Sequence, residues 1–271
     1  MDTFVDQRDF ALIERDKYSF FVLGRILKGE CALVLSDHQK IIICWSRAPF
    51  PVWIWTPDDL PDADKDKVFL LAKKHFLADK SHQFNMKYSL AQYFIRRSDE
   101  EGTALKIARN LFAYDCPTPK TLQDSADGHI HQCCKNQRDV LELTDFMYRF
   151  YEETGLGSQE KSAYLNDAQK FIEAGSVFFW KNADGVSVAT CKYYVNSGLA
   201  SINLVMTLPE HRRRHYAQSL VHAVTEKIRG QGLMPMLYTD ADYAASNACY
   251  EKIGYVLREK LCTLGAASAD E

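Results

Sequence analysis

The chain of 271 residues has no apolar run long enough to span a bilayer, which excludes a transmembrane helix. Its opening residues, Met1 to Asp9, are polar and acidic, so no secretory leader is expected. The eight cysteines show no Cys-x-x-Cys spacing, and most sit inside apolar runs. Buried free thiols in a reducing cytoplasm are the expectation. A surplus of one charge is also missing: net charge is −3. Residues 1–128 carry 18 Lys and Arg against 19 Asp and Glu, and residues 129–271 carry 15 against 17. Neither half is a basic module, which counts against non-specific nucleic-acid binding by the whole surface. What remains is ordinary for a globular protein: 46% hydrophobic and 25% charged residues, enough for a sizeable core and for one large or two modest domains.

The most informative segment runs from Leu204 to Ala217. An apolar strand meets Pro209, then a basic loop with Arg212, Arg213 and Arg214, then a helix whose apolar positions Leu220, Val221, Val224 and Ile228 share one face. A basic loop that opens a helix suits an anion, because first-turn N–H groups lack partners and the helix dipole adds partial positive charge. A second segment follows, Tyr238 to Tyr255. A short strand feeds a polar turn, then a compact helix carries Asn247 and Tyr250 one turn apart and stops at Gly254.

These two segments together resemble the Gcn5-related N-acetyltransferases (GNAT). That family has a Gln/Arg-x-x-Gly-x-Gly/Ala loop at the start of its central helix, matched here by Arg212, Arg213, Arg214, His215, Tyr216 and Ala217. Asn247-x-x-Tyr250-x-x-x-Gly254-Tyr255 matches the later element. The resemblance is sharp over about Ser201 to Leu261 and extends back to about Gly128. One departure stands out: His215 replaces the glycine that lets a phosphate approach the backbone. Its side chain either narrows the cradle or adds a donor to it.

The resemblance implies an α+β fold in the C-terminal half, with a mixed, mostly antiparallel sheet flanked by helices. The pattern agrees: a strand over His129 to Asn136, helices over Asp139 to Thr154 and Gln159 to Ala174, then three strands up to Leu208 joined by turns at Asn182–Gly185 and Asn196–Gly198. The proline-bearing stretch Asp115–Gly128 reads as a linker, giving domains 1–114 and 129–271. In the first domain we expect a hairpin (Glu30–Ser36, Lys40–Ser46), a strand at Val52–Thr56, a helix at Lys67–Leu77, a strand at Phe84–Tyr88, a short helix at Leu90–Arg97, and a strand or helix at Leu105–Tyr114. That succession mirrors the second half and suggests a degenerate tandem GNAT-like copy. Its counterpart to the arginine loop, Asp58 to Asp66, is acidic and would repel an anion.

By resemblance, the backbone of Val205, Met206 and Thr207 pairs with the pantetheine arm of acetyl-CoA or another acyl-CoA. Arg212 to Ala217 hold its pyrophosphate, Asn247 contacts the arm, and Tyr250 protonates the departing thiolate. Asp240, Asp242 and Glu173 are candidates for the base, although Asp242 equally suits a helix cap. His129, His131, Cys133 and Cys134 resemble a metal cluster, but no metal is expected. The expected activity is acyl transfer to a primary amine on a small molecule or protein, by an enzyme in which a homodimer is one expected assembly. The alternatives are a non-catalytic acyl-CoA-binding regulator, favoured by His215, and a nucleic-acid module built on the arginines, disfavoured by the balanced charge.

Overall fold

The computed structural model describes residues 1–29, 31–77, 82–155 and 160–267. The chain divides into two compact units. Unit 1 comprises Met1–Ala113, Thr239–Tyr243 and the segment from Leu257 on. Unit 2 comprises Tyr114–Tyr238 and Ala244–Val256. No helix among the described residues is long and apolar enough to cross a membrane.

Unit 1 opens with two short helices that periodicity had not marked, α1 (Gln7–Ile13) and α2 (Phe21–Ile26). A reciprocal cap starts α1: the Arg8 N–H donates to Asp6 at 2.9 Å, and the Asp6 N–H donates to Asp9 at 2.9 Å. The hairpin follows as β1 (Leu33–Ser36) and β2 (Ile42–Trp45), then β3 (Val52–Trp55). Glu30, expected to begin the hairpin, lies outside the described residues. Next come α3 (Asp62–Ala72), continued by a π-type turn to Leu77, β4 (Phe84–Met86), α4 (Tyr88–Glu100) and β5 (Leu105–Asp115). Helix α3 begins five residues before the expected Lys67. Much of the acidic run is therefore helix, not loop: Asp62 and Asp64 occupy its first turn, where the dipole favours carboxylates.

Unit 2 contains β6 (His129–Gln132), α5 (Gln137–Thr154), α6 (Lys161–Glu173), β7 (Val177–Lys181), β8 (Ser187–Asn196), β9 (Leu199–Thr207), α7 (Tyr216–Gly230), β10 (Met234–Asp240, of which 239–240 count with unit 1) and α8 (Ala244–Ile253). Gln159, expected to begin the second helix of this half, lies outside the described residues. Strand β6 is shorter than expected because Asn136 caps α5, its side chain accepting the Asp139 N–H at 2.9 Å. The chain ends in β11 (Val256–Ala266), almost all of it in unit 1.

The pairings recur between the units. In unit 1, β1–β2 and β2–β3 are antiparallel and β3–β4 is parallel. In unit 2, β7–β8 and β8–β9 are antiparallel and β9–β10 is parallel. The antiparallel bridge of Asp2 to Ser36 in unit 1 stands where β6 pairs with β7 in unit 2. Unit 1 is completed by the chain's last strand: β11 pairs antiparallel with β4, Cys262 opposite Met86 and Leu264 opposite Phe84. The fold is thus α+β, with mostly antiparallel sheet flanked by helices.

Alternation along the strands builds a core on each face. In unit 1, Ile41, Ile43, Ile54 and Leu264 face Phe69 and Phe94 of α3 and α4, while Ile42, Cys44, Trp53 and Trp55 face Phe20 and Leu23. In unit 2, Leu143, Phe146, Tyr164 and Ile172 of α5 and α6 cover Val177, Phe179, Leu204 and Met206. Helix α7 buries Leu220, Val221, Val224 and Ile228 completely, each contributing about 1.5–3 kcal/mol.

The segment read as a linker is tied down throughout unit 2. The Cys116 N–H donates to the Pro235 carbonyl, Lys120 N–H to Ile253, Ala126 N–H to the Ser219 hydroxyl, and the Trp180 indole to the Asp127 carbonyl. Gly254 makes this docking possible. Its φ is +110°, and a Cβ there would sit 2.8 Å from the Thr118 carbonyl oxygen.

Candidate active site

Two irregularities in β9 set the site. Thr190 pairs with Met206 and Lys192 with Asn203, so Leu204 and Val205 together oppose Cys191: a β-bulge. Leu204 takes a left-handed conformation, φ +54°, rare for a branched apolar residue. On the other edge, β9 pairs with β10 only from Leu199–Met234 to Ile202–Leu237. From Asn203 and Tyr238 onward the parallel strands no longer pair. A slot opens beside Val205, Met206 and Thr207, where the Thr207 carbonyl accepts from Arg212 Nε.

The chain then turns through a single 3₁₀ turn, Pro209–His211, into the arginine loop. Arg213 and His215 both adopt positive φ, +61° and +62°. His215 takes the conformation a glycine would supply and stands at the N-cap of α7, making no capping bond with its side chain. Its Nδ1 lies 3.3 Å from the Gln218 side-chain oxygen. The first-turn N–H groups from Tyr216 to Gln218 have no intrahelical acceptor and point out of the helix end.

The three arginines separate. Arg212 folds back: its Nε donates to the Thr207 carbonyl at 3.2 Å, and its guanidinium forms a two-pronged ion pair with Glu153 of α5. It clamps the end of β9 to α5. Arg214 lies over the Tyr216 ring, 5.3 Å from its centroid, and stays exposed with Arg213 beside the helix end.

Helix α8 packs on α7. Tyr250 is 7% exposed and meets the edge of Tyr255 at 6.0 Å. Tyr255 is anchored by a 2.7 Å hydrogen bond to Thr225 of α7. Asn247 sits one turn earlier on α8.

A groove that sequence reasoning missed lies between α5, the start of α6 and the end of β9. It has a volume of about 750 Å³ and is lined by Asp145, Tyr148, Arg149, Glu152 and Glu153 of α5, Lys161 of α6, and Met206 and Pro209. On a helix the α5 residues read as a solvated polar stripe, and only the tertiary structure turns that stripe into a wall. Lys161 pairs with Asp145 at 2.6 Å. The Tyr148 hydroxyl donates to Glu152, which pushes the phenol pKa up. The candidate bases from sequence lie elsewhere. Asp240 faces Arg109 at 3.5 Å and Asp242 accepts the Asn110 amide, both within unit 1, while Glu173 pairs with Lys135 at 3.1 Å.

Asp139 accepts from His131 Nε2 at 2.9 Å and from the Cys134 N–H at 2.8 Å, and Cys133 is buried, so the residues that resembled a metal cluster in the sequence are engaged at the start of α5. Among the described residues, the three side chains whose ligand atoms lie within 4.8 Å of one another are Asp6, Asp9 and His38 of unit 1. His38 is bonded through both ring nitrogens, to Asp9 at 2.7 Å and Asp2 at 3.1 Å, and Asp6 is paired with Arg8.

Residues 185–264, from just before β8 into β11, match the family described as FR47-like protein. The fold of the chain is that of the GNAT acetyltransferases. A GCN5-related N-acetyltransferase from Sphaerobacter thermophilus superposes with a TM-score of 0.66 at 12% identity, covering 98% of this chain and 95% of that one. A GNAT-family acetyltransferase from Colwellia psychrerythraea gives 0.61 at 10% identity, covering 98% and 99%. One from Kribbella flavida gives 0.59 at 13%, covering 93% and 96%. No curated protein matches the sequence.

Proposed function

We propose that unit 2 is an acyl-CoA-dependent N-acyltransferase that moves an acetyl group from acetyl-CoA to a primary amine. The observation that carries this reading is the combination in β9: a bulge at Leu204–Val205 and a strand pair that opens at Asn203, leading directly into the N-terminus of α7. Val205 to Thr207 would hydrogen-bond the pantetheine arm along the open edge. The first turn of α7, with Arg213, Arg214 and the His215 ring, would take the pyrophosphate. The bulge turns a backbone N–H out of the β8 ladder, where it can polarise a thioester carbonyl.

The groove lined by α5 would receive the amine. Its nitrogen attacks the carbonyl carbon, the C–N bond forms, and the C–S bond breaks. The amine proton leaves to water or to a groove carboxylate such as Glu152, and the thiolate takes a proton from Tyr250. Arg212 would act by holding β9 and α5 together rather than as a direct anion ligand. Unit 1, in this reading, is a second copy of the same framework that has lost cofactor binding.

The test is coenzyme A release from acetyl-CoA with a panel of amines, run beside calorimetry of acetyl-CoA binding. Tyr250→Phe should lower turnover and leave affinity nearly constant, the mark of an interaction made in the transition state. A second reading, a non-catalytic acyl-CoA binder, draws on His215 and on the engagement of Asp240, Asp242 and Glu173 elsewhere. Tight binding with no release from any amine would favour it.

A further inference from the structure

Unit 1 carries a chemistry separate from the acyl-transfer site. Cys44, on β2, is fully buried between the sheet and α2. Cys31 lies in the stretch that follows α2 and is half-buried. Their sulfur atoms are 3.3 Å apart, with the Cys31 thiol also directed at the Ile26 carbonyl at 3.4 Å. Sequence spacing gives no hint of this, because thirteen positions and a hairpin turn separate the two residues. The fold brings a solvent-reachable thiol against a sheltered one, which is the arrangement of an entry thiol and a resolving thiol.

We propose that Cys31 and Cys44 are a reversible disulfide site, oxidised by low-molecular-weight disulfides such as glutathione disulfide. Cys31, as thiolate, attacks one sulfur of the small disulfide and releases one small thiol, leaving a mixed disulfide on Cys31. The Cys44 thiol gives up its proton and attacks the Cys31 sulfur, and the second small thiol leaves. Two protein thiols and one small disulfide become one protein disulfide and two small thiols. The protein loses two electrons and two protons, and the small disulfide gains them. Closure needs the sulfurs to move from 3.3 Å to about 2 Å. Cys31 lies between α2 and β1 rather than within either, so no helix or strand has to yield at that residue.

Burial and the neighbouring Cys31 sulfur push the Cys44 thiol pKa far up. Cys44 is therefore inert toward solution oxidants by itself and reacts only once Cys31 carries a leaving group. The bond would tie the segment after α2 to the second strand, across the hairpin and the layer that contains Trp53, Trp55 and Leu23. Its effect is a redox-dependent stiffening of unit 1.

The experiment uses the full chain, treated with glutathione disulfide, unfolded in the presence of an alkylating agent and mapped by mass spectrometry. The expected result is a cross-linked peptide pair containing Cys31 and Cys44, neither of them alkylated. The melting temperature should rise by roughly 5 °C and return on reduction with dithiothreitol. Cys31→Ser, a small change at a half-buried position, should abolish both effects, whereas Cys134→Ser, at an exposed thiol, should change neither. Recovery of Cys44 alkylated after oxidation, with Cys31 either alkylated or capped by glutathione, would overturn the proposal. A complete Cys31–Cys44 bond with an unchanged melting temperature would support the disulfide site and overturn the stiffening.

Discussion

The two units share their order of strand pairings and differ where chemistry would occur. In unit 2, β9 is bulged, Leu204 is left-handed, and an arginine-rich loop opens α7. In unit 1 the equivalent strand, β3, pairs with β2 without a break, Ile42 to Trp55 through Cys44 to Trp53. The helix after it begins at Asp62, with Pro61 as its N-cap and Asp62 and Asp64 in its first turn. Those carboxylates interact favourably with the dipole of α3, and they also occupy the field an anion would use. One framework therefore supports two outcomes. A regular strand and an acidic first turn mark unit 1, and a bulged strand followed by a basic loop marks unit 2, where we propose that a phosphorylated ligand binds.

The sharpest way to break this comparison is to remove β11. A chain ending at Tyr255 loses the antiparallel partner of β4 and the buried Leu261, Cys262 and Leu264. At about 1.5–3 kcal/mol per buried apolar side chain, the loss approaches the whole stability of a domain. Unit 1 should lose its hydrogen-exchange protection. Protection of β2 and β3 equal to that of the full chain would show that β11 is dispensable.

Next in size is Gly254→Ala, which strikes unit 2. The new Cβ meets the Thr118 carbonyl at 2.8 Å in a backbone region closed to side chains. We expect a loss of about 2 kcal/mol or more, read by chemical denaturation, with exchange protection in unit 1 nearly unchanged. A neutral variant would mean that the 115–128 segment is docked more loosely than described.

Ligand binding sharpens the contrast further. One acyl-CoA per chain is expected by calorimetry, since Arg213 and Arg214 precede α7 whereas Asp58 and Asp59 precede α3. Arg214→Ala should weaken it about tenfold, ~1.4 kcal/mol, and Arg212→Ala by less unless the Glu153 clamp also fails. His215→Gly should bind at least as tightly. Two ligands per chain, or an unaffected Arg214 variant, would contradict the assignment.

The smallest effect concerns the hairpin of unit 1. Asp37 is raised by burial, yet backbone N–H groups of Lys40, Ile41 and Gln39 outweigh this and hold its carboxyl below the usual range. A folded-state pKa below the unfolded value, about 3.9, adds stability that is present above that pH and disappears as pH falls through the folded value. Asp37→Asn keeps the acceptor and loses the charge. It should cost about 1 kcal/mol at neutral pH and nothing in strong acid, measured by denaturation across the pH range. A penalty that persists at low pH would assign the effect to shape.

The helices and meander of unit 2 were legible because their apolar residues recur at helical or alternating spacing over long stretches, as in Leu220–Ile228. The loop of Arg212 to His215 stands out in the sequence because charge, proline and helix onset coincide. Helices α1 and α2, of 7 and 6 residues, are too short to show a period. The Leu204 bulge was hidden because no glycine marks it. The groove was hidden because Tyr148 and Glu152 look solvated until β9 lies beside them. The separation of Arg212 from Arg214 depends on Glu153, fifty-nine residues earlier. The placement of β11 was the least accessible of all, since pairing between Met86 and Cys262 leaves no local trace.

That last strand also dictates an order of events during synthesis. Residues 1–113 make most of unit 1, but β4 has its antiparallel partner only after Val256–Ala266 have been translated. Until then, β4 offers an unpaired backbone edge beside Phe84 and Met86, while the polypeptide that makes unit 2 is still emerging. The half of the protein made first is the half finished last. A nascent chain of this kind depends on a protected interval, whether through slow local folding or through a chaperone that covers the open edge.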